Sequence, residues 1–200
     1  MKKVIGLTGG IASGKSTVVD FLVAQSFKVI DADKVVRGLQ APGGRLYQII
    51  LSEFGSAFFT VEGQLDREKL AALVFSNPAQ REKLSKLQDQ IIREELYAER
   101  ERLLTASSAD EIIFMDIPLL LEYHYTGFDE IWLVAAPENL QIERLMARNH
   151  LSKEEAVKRI ATQMPLAEKR KLASRIFENI GSVEELQSQV QAAINELKKK

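Results

Sequence analysis

The 200-residue chain contains no cysteine and only two histidines, which excludes several kinds of site. Disulfide bonds, thiolate zinc sites and thiol nucleophiles all require cysteine, and a chain without it is typical of a reducing, cytoplasmic compartment. His124 and His150 do not have the spacing of metal ligands. No apolar stretch approaches the roughly 20 residues that span a bilayer, so we expect no membrane segment.

An excess of charge of either sign is also lacking. The 27 lysines and arginines nearly balance the 28 aspartates and glutamates, leaving a formal net charge of −1. This balance provides no general attraction for nucleic acid or an anionic membrane, so any anion site must be local. The composition leaves a monomer and a weak homo-oligomer both open.

Short apolar runs alternate with helical patterns along the chain. The runs predicted to be buried strands are Val4–Leu7, Phe27–Ile30, Ile112–Met115 and Ile131–Ala135. Because such alternation is typical of parallel sheets flanked by helices, we predict an α/β fold with a doubly wound parallel sheet. The long stretch between the second and third runs has helical periodicity, which predicts a separate helical lobe.

Three further helices have clear signals at their ends. Glu138–Asn149 follows Pro137, and Val183–Leu197 has an amphipathic pattern near the carboxyl terminus. Ser152 and Glu155 have the spacing of a capping box, which predicts that another helix begins there. The proline of Gln163-Met164-Pro165 would end that helix.

The strongest motif is the segment Gly9–Ser16, which matches G-x-x-x-x-G-K-[ST] between a predicted strand and a predicted helix. Its glycines allow successive amides to point inward as an anion nest, and the following helix directs its positive dipole end to the same place. Lys15 would contact the β- and γ-phosphates of a nucleotide, and the Ser16 hydroxyl would ligate Mg²⁺. The motif does not by itself distinguish a kinase from other nucleotide-binding proteins, although the chain lacks the D-x-x-G and N-K-x-D motifs of GTPases.

Carboxylates end two of the predicted strands. Asp116 follows Ile112–Met115 and can reach the metal directly or through water, or it can simply cap the next segment. Asp31 and Asp33 follow the second strand, at the edge where ligands of doubly wound sheets bind. We favour Asp33 as the base that accepts a hydroxyl proton and Asp31 as a helix cap, with the reverse assignment and a pure capping role left open.

Two arginines share one face of the predicted helix Glu138–Asn149. Arg144 and Arg148 are four residues apart, while the apolar residues of this helix mark a different face. Paired guanidiniums suit a polyanion, and Arg159 and Lys169 extend the basic set, as expected of a lid that closes on ATP. The alternative is that each cation is solvated or paired with a neighbouring carboxylate.

Several motifs together resemble the dephospho-CoA kinase family over nearly the whole chain. They are, in order, GLTGGIASGKST (6–17), VIDADKV (29–35), LDR (65–67), DIPLLLE (116–122), QIERLMARN (141–149), AVKRIATQMP (156–165) and FENIG (177–181). The resemblance implies a P-loop kinase fold with a helical CoA-binding insertion and a lid. It also implies that ATP and Mg²⁺ are used to phosphorylate the ribose 3′-hydroxyl of dephospho-CoA.

The resemblance also implies domain limits and site residues. The expected core consists of residues 1–37, 105–138 and 172–200, the CoA-binding lobe of 38–104, and the lid of 139–171. The residues expected to bind ATP are Gly10, Ala12, Ser13, Gly14, Lys15, Ser16, Thr17 and Asn179. Those expected to bind the acceptor are Asp33, Arg67 and Leu119, and those expected to act in phosphoryl transfer are Asp33, Lys15, Arg144 and Arg148.

Three positions depart from the family pattern. Ala12 replaces a common glycine, and because alanine tolerates positive φ poorly, we expect a right-handed or extended backbone there. Asp89-Gln90 stands where a His-Pro pair is usual, and Glu178 replaces an aspartate. Two other functions remain open, namely a kinase for nucleoside monophosphates or a shikimate-like acceptor, and a nucleotide-binding regulatory module.

Overall fold

The computed structural model describes residues 2–106 and 110–199, and they form two compact units. One unit consists of the described residues up to Ile30 and after Ala106, and the other is Asp31–Ala106. The second unit thus begins at Asp31, while the domain limits expected from the resemblance stay a prediction. Val35, which precedes residue 38, packs against the cluster of Leu39, Leu46 and Ile91.

The first unit is built on a five-stranded sheet. Its strands are β1 (Lys3–Gly9), β2 (Lys28–Asp31), β3 (Ile112–Asp116), β4 (Glu130–Ala135) and β5 (Arg175–Glu178), in the order β2-β3-β1-β4-β5. β1 pairs in parallel with β3 on one side and with β4 on the other, and β4 pairs in parallel with β5. Every residue of β3 is buried, as expected of a parallel strand covered on both faces.

Helices flank this sheet and supply its core. They are α1 (Lys15–Ala24), α6 (Glu138–Asn149), α7 (Lys153–Ile160), α8 (Leu166–Leu172) and α9 (Val183–Leu197). Trp132 is fully buried, with its ring 5.2 Å from that of Phe114 and 5.0 Å from that of Phe177. The edge-to-face arrangement of these rings is favourable in addition to their burial. Trp132 is therefore a core residue, as its place in a predicted strand indicates.

The helical signals in the sequence are confirmed, whereas one strand had no clear signal. α6 and α9 have the predicted bounds, and α7 begins with the predicted capping box of Ser152 and Glu155. β5 was not predicted, because Arg175 and Glu178 leave only two apolar residues in a four-residue strand. Its pairing with β4 determines its conformation.

The second unit is helical. It contains α2 (Ala32–Gln40), α3 (Arg45–Phe54), a 3₁₀ turn (Ser56–Phe58), α4 (Arg67–Ser76) and α5 (Pro78–Ala106). Asp89 accepts hydrogen bonds from Arg93 Nε at 2.9 and 3.0 Å, and Gln90 Nε2 donates to Glu94 Oε1 at 2.9 Å. The unusual Asp89-Gln90 pair thus makes i,i+4 contacts along α5.

Within the described ranges, 2–106 and 110–199, none of the helices combines the length and the apolar character that crossing a membrane requires.

Candidate active site

The glycine-rich loop, Gly9–Ser16, connects β1 to α1 at the carboxyl edge of the sheet. Gly14 has φ 92°, in the left-handed region that glycine tolerates. Ala12 has φ 56°, so the expectation of a right-handed or extended backbone at this position is wrong. A non-glycine residue in this region costs about 1 kcal/mol or more, which means that contacts around the loop must impose the conformation.

Side chains from three other segments hold the backbone of the loop. Gln141 Nε2 donates to the Ile11 carbonyl at 2.7 Å, and the Ile11 amide donates to Gln163 Oε1 at 2.8 Å. Asn179 Nδ2 donates to the Ser13 carbonyl at 2.8 Å. The loop is thereby tied to α6, to the turn between α7 and α8, and to the end of β5.

These contacts also explain two of the glycines. A Cβ at position 10 would collide with the Gln141 amide, and one at position 14 would collide with the Asn179 amide. The glycines are therefore needed for close approach as well as for backbone freedom.

Lys15 and Asp116 meet beside the loop. Lys15 Nζ forms an ion pair with Asp116 Oδ1, and the side chains are 18% and 11% exposed, respectively. Asp116 is the last residue of β3, the strand next to β1, so sheet topology places its carboxylate at this point. A partly buried ammonium and carboxylate at the mouth of an anion-binding loop can exchange their mutual contact for contacts with a phosphate and its metal.

The protein oxygens near the loop suit a metal ion that takes most of its ligands from the substrate and from water. In the part of the chain that the structure describes, no group of three or more His, Cys, Asp or Glu residues can hold a metal ion. Mg²⁺ is usually held by one or two protein oxygens together with substrate phosphates. The Asp116 carboxylate, with the exposed Ser16 hydroxyl at the start of α1, provides such a hard oxygen set.

The two arginines predicted to act in the lid differ in environment. Arg144 Nη2 donates to the Asn179 carbonyl at 3.2 Å, and its Nη1 is buried without a hydrogen-bond partner among the described residues. Arg148 is exposed and donates through Nε to Asn149 Oδ1 at 3.0 Å. Arg144 is thus anchored beside the loop with donor capacity to spare, whereas Arg148 is a solvated cation at the end of α6.

Lys169 is not the exposed cation that its place in the basic set indicates. Its side chain is 1% exposed, and Nζ lies 2.7 Å from Glu122 Oε1, outside hydrogen-bond angles. The Met164 amide donates to the same carboxylate oxygen at 3.2 Å. Glu122, from the turn after β3, therefore contacts both Lys169 in α8 and the segment before that helix.

A cavity of about 350 Å³ lies between the loop and the segment from α6 to α8. Its polar and charged lining residues are Glu138, Gln141, Gln163 and Lys169, and the remainder consists of Gly10 and apolar residues. This volume is within the range of small-molecule sites.

The closing segment contains the third departure from the family pattern. Arg170 donates to the two carboxylate oxygens of Glu178 at 2.5 and 2.9 Å. Hydrogen bonding to Glu178 raises the pKa of Arg170 above its ordinary value. The longer carboxylate thus links the end of β5 to α8.

The residues predicted to bind the acceptor lie in both units. Asp31 caps α2 by accepting from the Lys34 amide at 2.9 Å, while Asp33 lies exposed in the first turn of that helix. Arg67 begins α4 and donates to Gln40 Oε1 at 3.3 and 3.1 Å. Leu119 is half-buried in the turn after β3. The capping role of Asp31 is thus established, whereas the roles of the other three remain predictions.

Sequence reasoning did not identify Gln141, Gln163 and Glu122 as parts of the site. Each lies within a motif quoted above, Q-I-E-R, Q-M-P and D-I-P-L-L-L-E, so the signal was present. The motifs do not reveal which atoms these side chains contact.

The central strand of the parallel sheet leads into a G-x-x-x-x-G-K-S loop, and a carboxylate on the neighbouring strand pairs with the loop lysine. These two features define a P-loop kinase-like protein. The sequence profile described as dephospho-CoA kinase matches residues 3–185. The chain therefore belongs to the dephospho-CoA kinase family.

Individual relatives agree with this placement. The chain is 58% identical to the dephospho-CoA kinase of Lactococcus lactis, with 94% of this chain and 95% of the relative covered. It resembles the solved dephospho-CoA kinase of Campylobacter jejuni with a TM-score of 0.68 and 27% identity, over 100% of this chain and 99% of that one. A shikimate kinase from Acinetobacter baumannii, at 16% identity and a TM-score of 0.53 over 100% of this chain and 97% of that one, shares the fold alone.

Proposed function

We propose that this protein transfers the γ-phosphoryl group of ATP to the ribose 3′-hydroxyl of dephospho-CoA, giving ADP and coenzyme A, the last step of coenzyme A synthesis. Family membership over residues 3–185 supports the choice of acceptor. The observation that carries the chemistry is the Lys15–Asp116 pair beside the loop of Gly9–Ser16.

In this proposal the loop binds the triphosphate of ATP. Loop residues Gly10 and Ala12 to Thr17 surround the phosphates at the positive end of α1, and Lys15 contacts the β- and γ-phosphates. Asn179, whose side chain is bonded to the Ser13 carbonyl, extends the ATP site to the end of β5. Phosphoryl transfer through a loose transition state depends mainly on such positioning and on charge stabilisation.

Ser16 and Asp116 would hold Mg²⁺, Asp116 directly or through water. Held there, the metal would supply positive charge to offset the negative charge that develops on the phosphates. In that role Asp116 would contact the metal or its water in place of Lys15. That exchange leaves the Lys15 ammonium available to a phosphate oxygen.

Asp33 is the proposed base, and Arg67 and Leu119 the proposed contacts of the acceptor. The bond between the γ-phosphorus and its bridging oxygen breaks while a bond to the 3′-oxygen forms, and the hydroxyl proton passes to the Asp33 carboxylate. Because Asp31 is engaged as the cap of α2, Asp33 is the carboxylate of this pair that remains exposed. Its orientation of the hydroxyl matters as much as deprotonation in a loose transition state.

Arg144 and Arg148 would stabilise the negative charge of the transferring group. The buried Nη1 of Arg144, unpaired among the described residues, has the capacity to donate a charge-assisted hydrogen bond to a phosphate oxygen. Arg148 is solvent-exposed, so its contribution requires the lid helices to close over the nucleotide.

The decisive experiment supplies the purified protein with Mg-ATP and dephospho-CoA and follows coenzyme A by mass spectrometry. We expect coenzyme A and ADP in equal amounts, and no coenzyme A from a Lys15→Met variant. A parallel panel of shikimate and nucleoside monophosphates tests the other acceptors. Turnover of one of these and not of dephospho-CoA contradicts the proposal, and ATP binding without turnover on any acceptor favours a regulatory module.

The cytoplasmic location and the monomeric or weakly oligomeric state remain predictions from the composition. Cell fractionation and light scattering, respectively, test them.

A further inference from the structure

The backbone of Ala12 is in the left-handed region, at φ 56°, where an alanine is strained. The preceding residue, Ile11, is held on both of its backbone polar groups by glutamine side chains. One glutamine, Gln141, belongs to α6, and the other, Gln163, lies between α7 and α8. Two separate segments of the lid region therefore act on one residue of the loop.

Peptide geometry links these contacts to the conformation of Ala12. The Ile11 carbonyl and the Ala12 amide belong to one planar peptide group. The hydrogen bond from Gln141 fixes the direction of that carbonyl. It therefore restricts rotation of the peptide plane about the N–Cα bond of Ala12, and this rotation is the φ angle of Ala12. Gln163 holds the plane on the other side of Ile11 through the Ile11 amide.

The two glutamines are themselves held in place. Gln141 is 5% exposed and lies against Gly10, where a Cβ would collide with its amide. Gln163 directly precedes Met164, whose amide donates to Glu122 at 3.2 Å. The buried Gln141 side chain and the anchored backbone beside Gln163 can therefore oppose the strain at Ala12.

We propose that Gln141 and Gln163 are positioning residues that hold Ala12 in its left-handed conformation and so keep the loop shaped for the triphosphate of ATP. This inference rests on the proposed function of the loop. The glutamines act through Ile11 and Ala12, so they influence ATP more than dephospho-CoA. Their contribution is needed because residue 12 is alanine, since glycine adopts positive φ without strain.

The test is a double-mutant cycle with Gln163→Met and Ala12→Gly. Methionine keeps the length of the side chain and removes the hydrogen-bonding amide. In the background that keeps Ala12 we expect Gln163→Met to raise the KM for ATP about 5- to 10-fold, the value of one hydrogen bond, and to leave the KM for dephospho-CoA within about 2-fold. In the Ala12→Gly background the same change should raise the KM for ATP less than about 2-fold, because glycine no longer needs the constraint.

Gln141→Met is expected to behave in the same way. Because Gln141 is buried, this variant can fail to fold, and the half-buried Gln163 then carries the test alone. Gln191→Met is the matched control, since Gln191 bonds only to Asn195 on its own helix in the described chain and should alter neither KM. Thermal unfolding of each variant separates loss of folding from loss of loop shape.

The inference is overturned if Gln163→Met raises the KM for ATP equally with Ala12 in place and in the Ala12→Gly background. It is also overturned if Gln163→Met raises the KM for ATP and the KM for dephospho-CoA equally. Failure of the proposed function is distinguishable, because the unmodified protein would then form no coenzyme A. If the unmodified protein forms coenzyme A and Gln163→Met leaves the KM for ATP unchanged, this inference alone fails.

Discussion

Lys15 and Asp116, which are 101 positions apart in the chain, form an ion pair beside the glycine-rich loop. The register of the sheet brings them together, because Leu7 of β1 lies opposite Asp116 of β3 and the loop begins two residues after Leu7. In the proposed function, Lys15 contacts phosphate and Asp116 serves the metal. Its two members are therefore expected to respond differently to substitution.

Asp116→Asn is expected to raise the Mg²⁺ concentration needed for half-maximal activity by about 10- to 100-fold, because an amide is a weaker ligand than a carboxylate. Coenzyme A formation measured against Mg²⁺ concentration checks this, and a chelator should abolish activity. Asp20→Asn, at an exposed position on α1, is the control. An unchanged Mg²⁺ dependence in Asp116→Asn would show that this carboxylate does not serve the metal.

Asp33→Asn and Asp31→Asn form a matched pair that tests the assignment of the base. We expect Asp33→Asn to lower kcat about 10²-fold or more with little change in ATP binding, because it removes the group that accepts and orients the hydroxyl. Asp31→Asn should retain most activity, since asparagine caps helices as well as aspartate does. Steady-state kinetics with both substrates measure this, and the opposite pattern would exchange the two roles.

Arg144→Ala and Arg148→Ala separate anchoring from charge stabilisation. We expect both to lower kcat more than ATP affinity, with Arg144→Ala the more severe at roughly 10²-fold, because its buried Nη1 is available to a phosphate oxygen. Arg102→Ala, at an exposed position on α5, is the control. If kcat is unchanged and only the KM for ATP rises, the arginines bind ground state and transition state equally.

Lys169→Met tests the buried ion pair with Glu122. We expect it to lower the free energy of unfolding by about 3 kcal/mol, because Glu122 then loses the counter-charge of Lys169 in a poorly solvated place. A Glu122→Gln substitution in the same chain should recover much of this loss. Urea unfolding measures both changes.

Lys171→Met provides the surface comparison for that experiment. Lys171 pairs with Glu168 at 2.8 Å, but the side chains are 68% and 54% exposed. An exposed pair of this kind contributes less than about 1 kcal/mol. If both variants lose the same free energy of unfolding, burial does not make the Lys169–Glu122 pair more important for stability than the exposed Lys171–Glu168 pair.

Much of the fold could be predicted because its signals are local. β1, β3 and β4 have apolar runs, β2 is marked by Val29 and Ile30 close after Phe27, and α6, α7 and α9 have caps or periodic patterns that define them. β5 lacked such a signal, because its two apolar residues become a strand only through pairing with β4. The conformation of Ala12 also depends on tertiary contacts. The intrinsic preference of alanine indicated the wrong backbone region, and the surrounding contacts impose a positive φ.

By itself, the sequence determined the α/β class, the anion-binding loop and the family, because these depend on periodicity and on motifs whose residues are adjacent in the chain. Only the tertiary structure decided that Lys15 pairs with Asp116, that Lys169 is buried against Glu122 and that Gln141 and Gln163 hold Ile11. The physical reason is that these contacts join residues far apart in sequence. Their distances and burial exist only after the strands have paired in the sheet and α6, α7 and α8 have packed beside the loop.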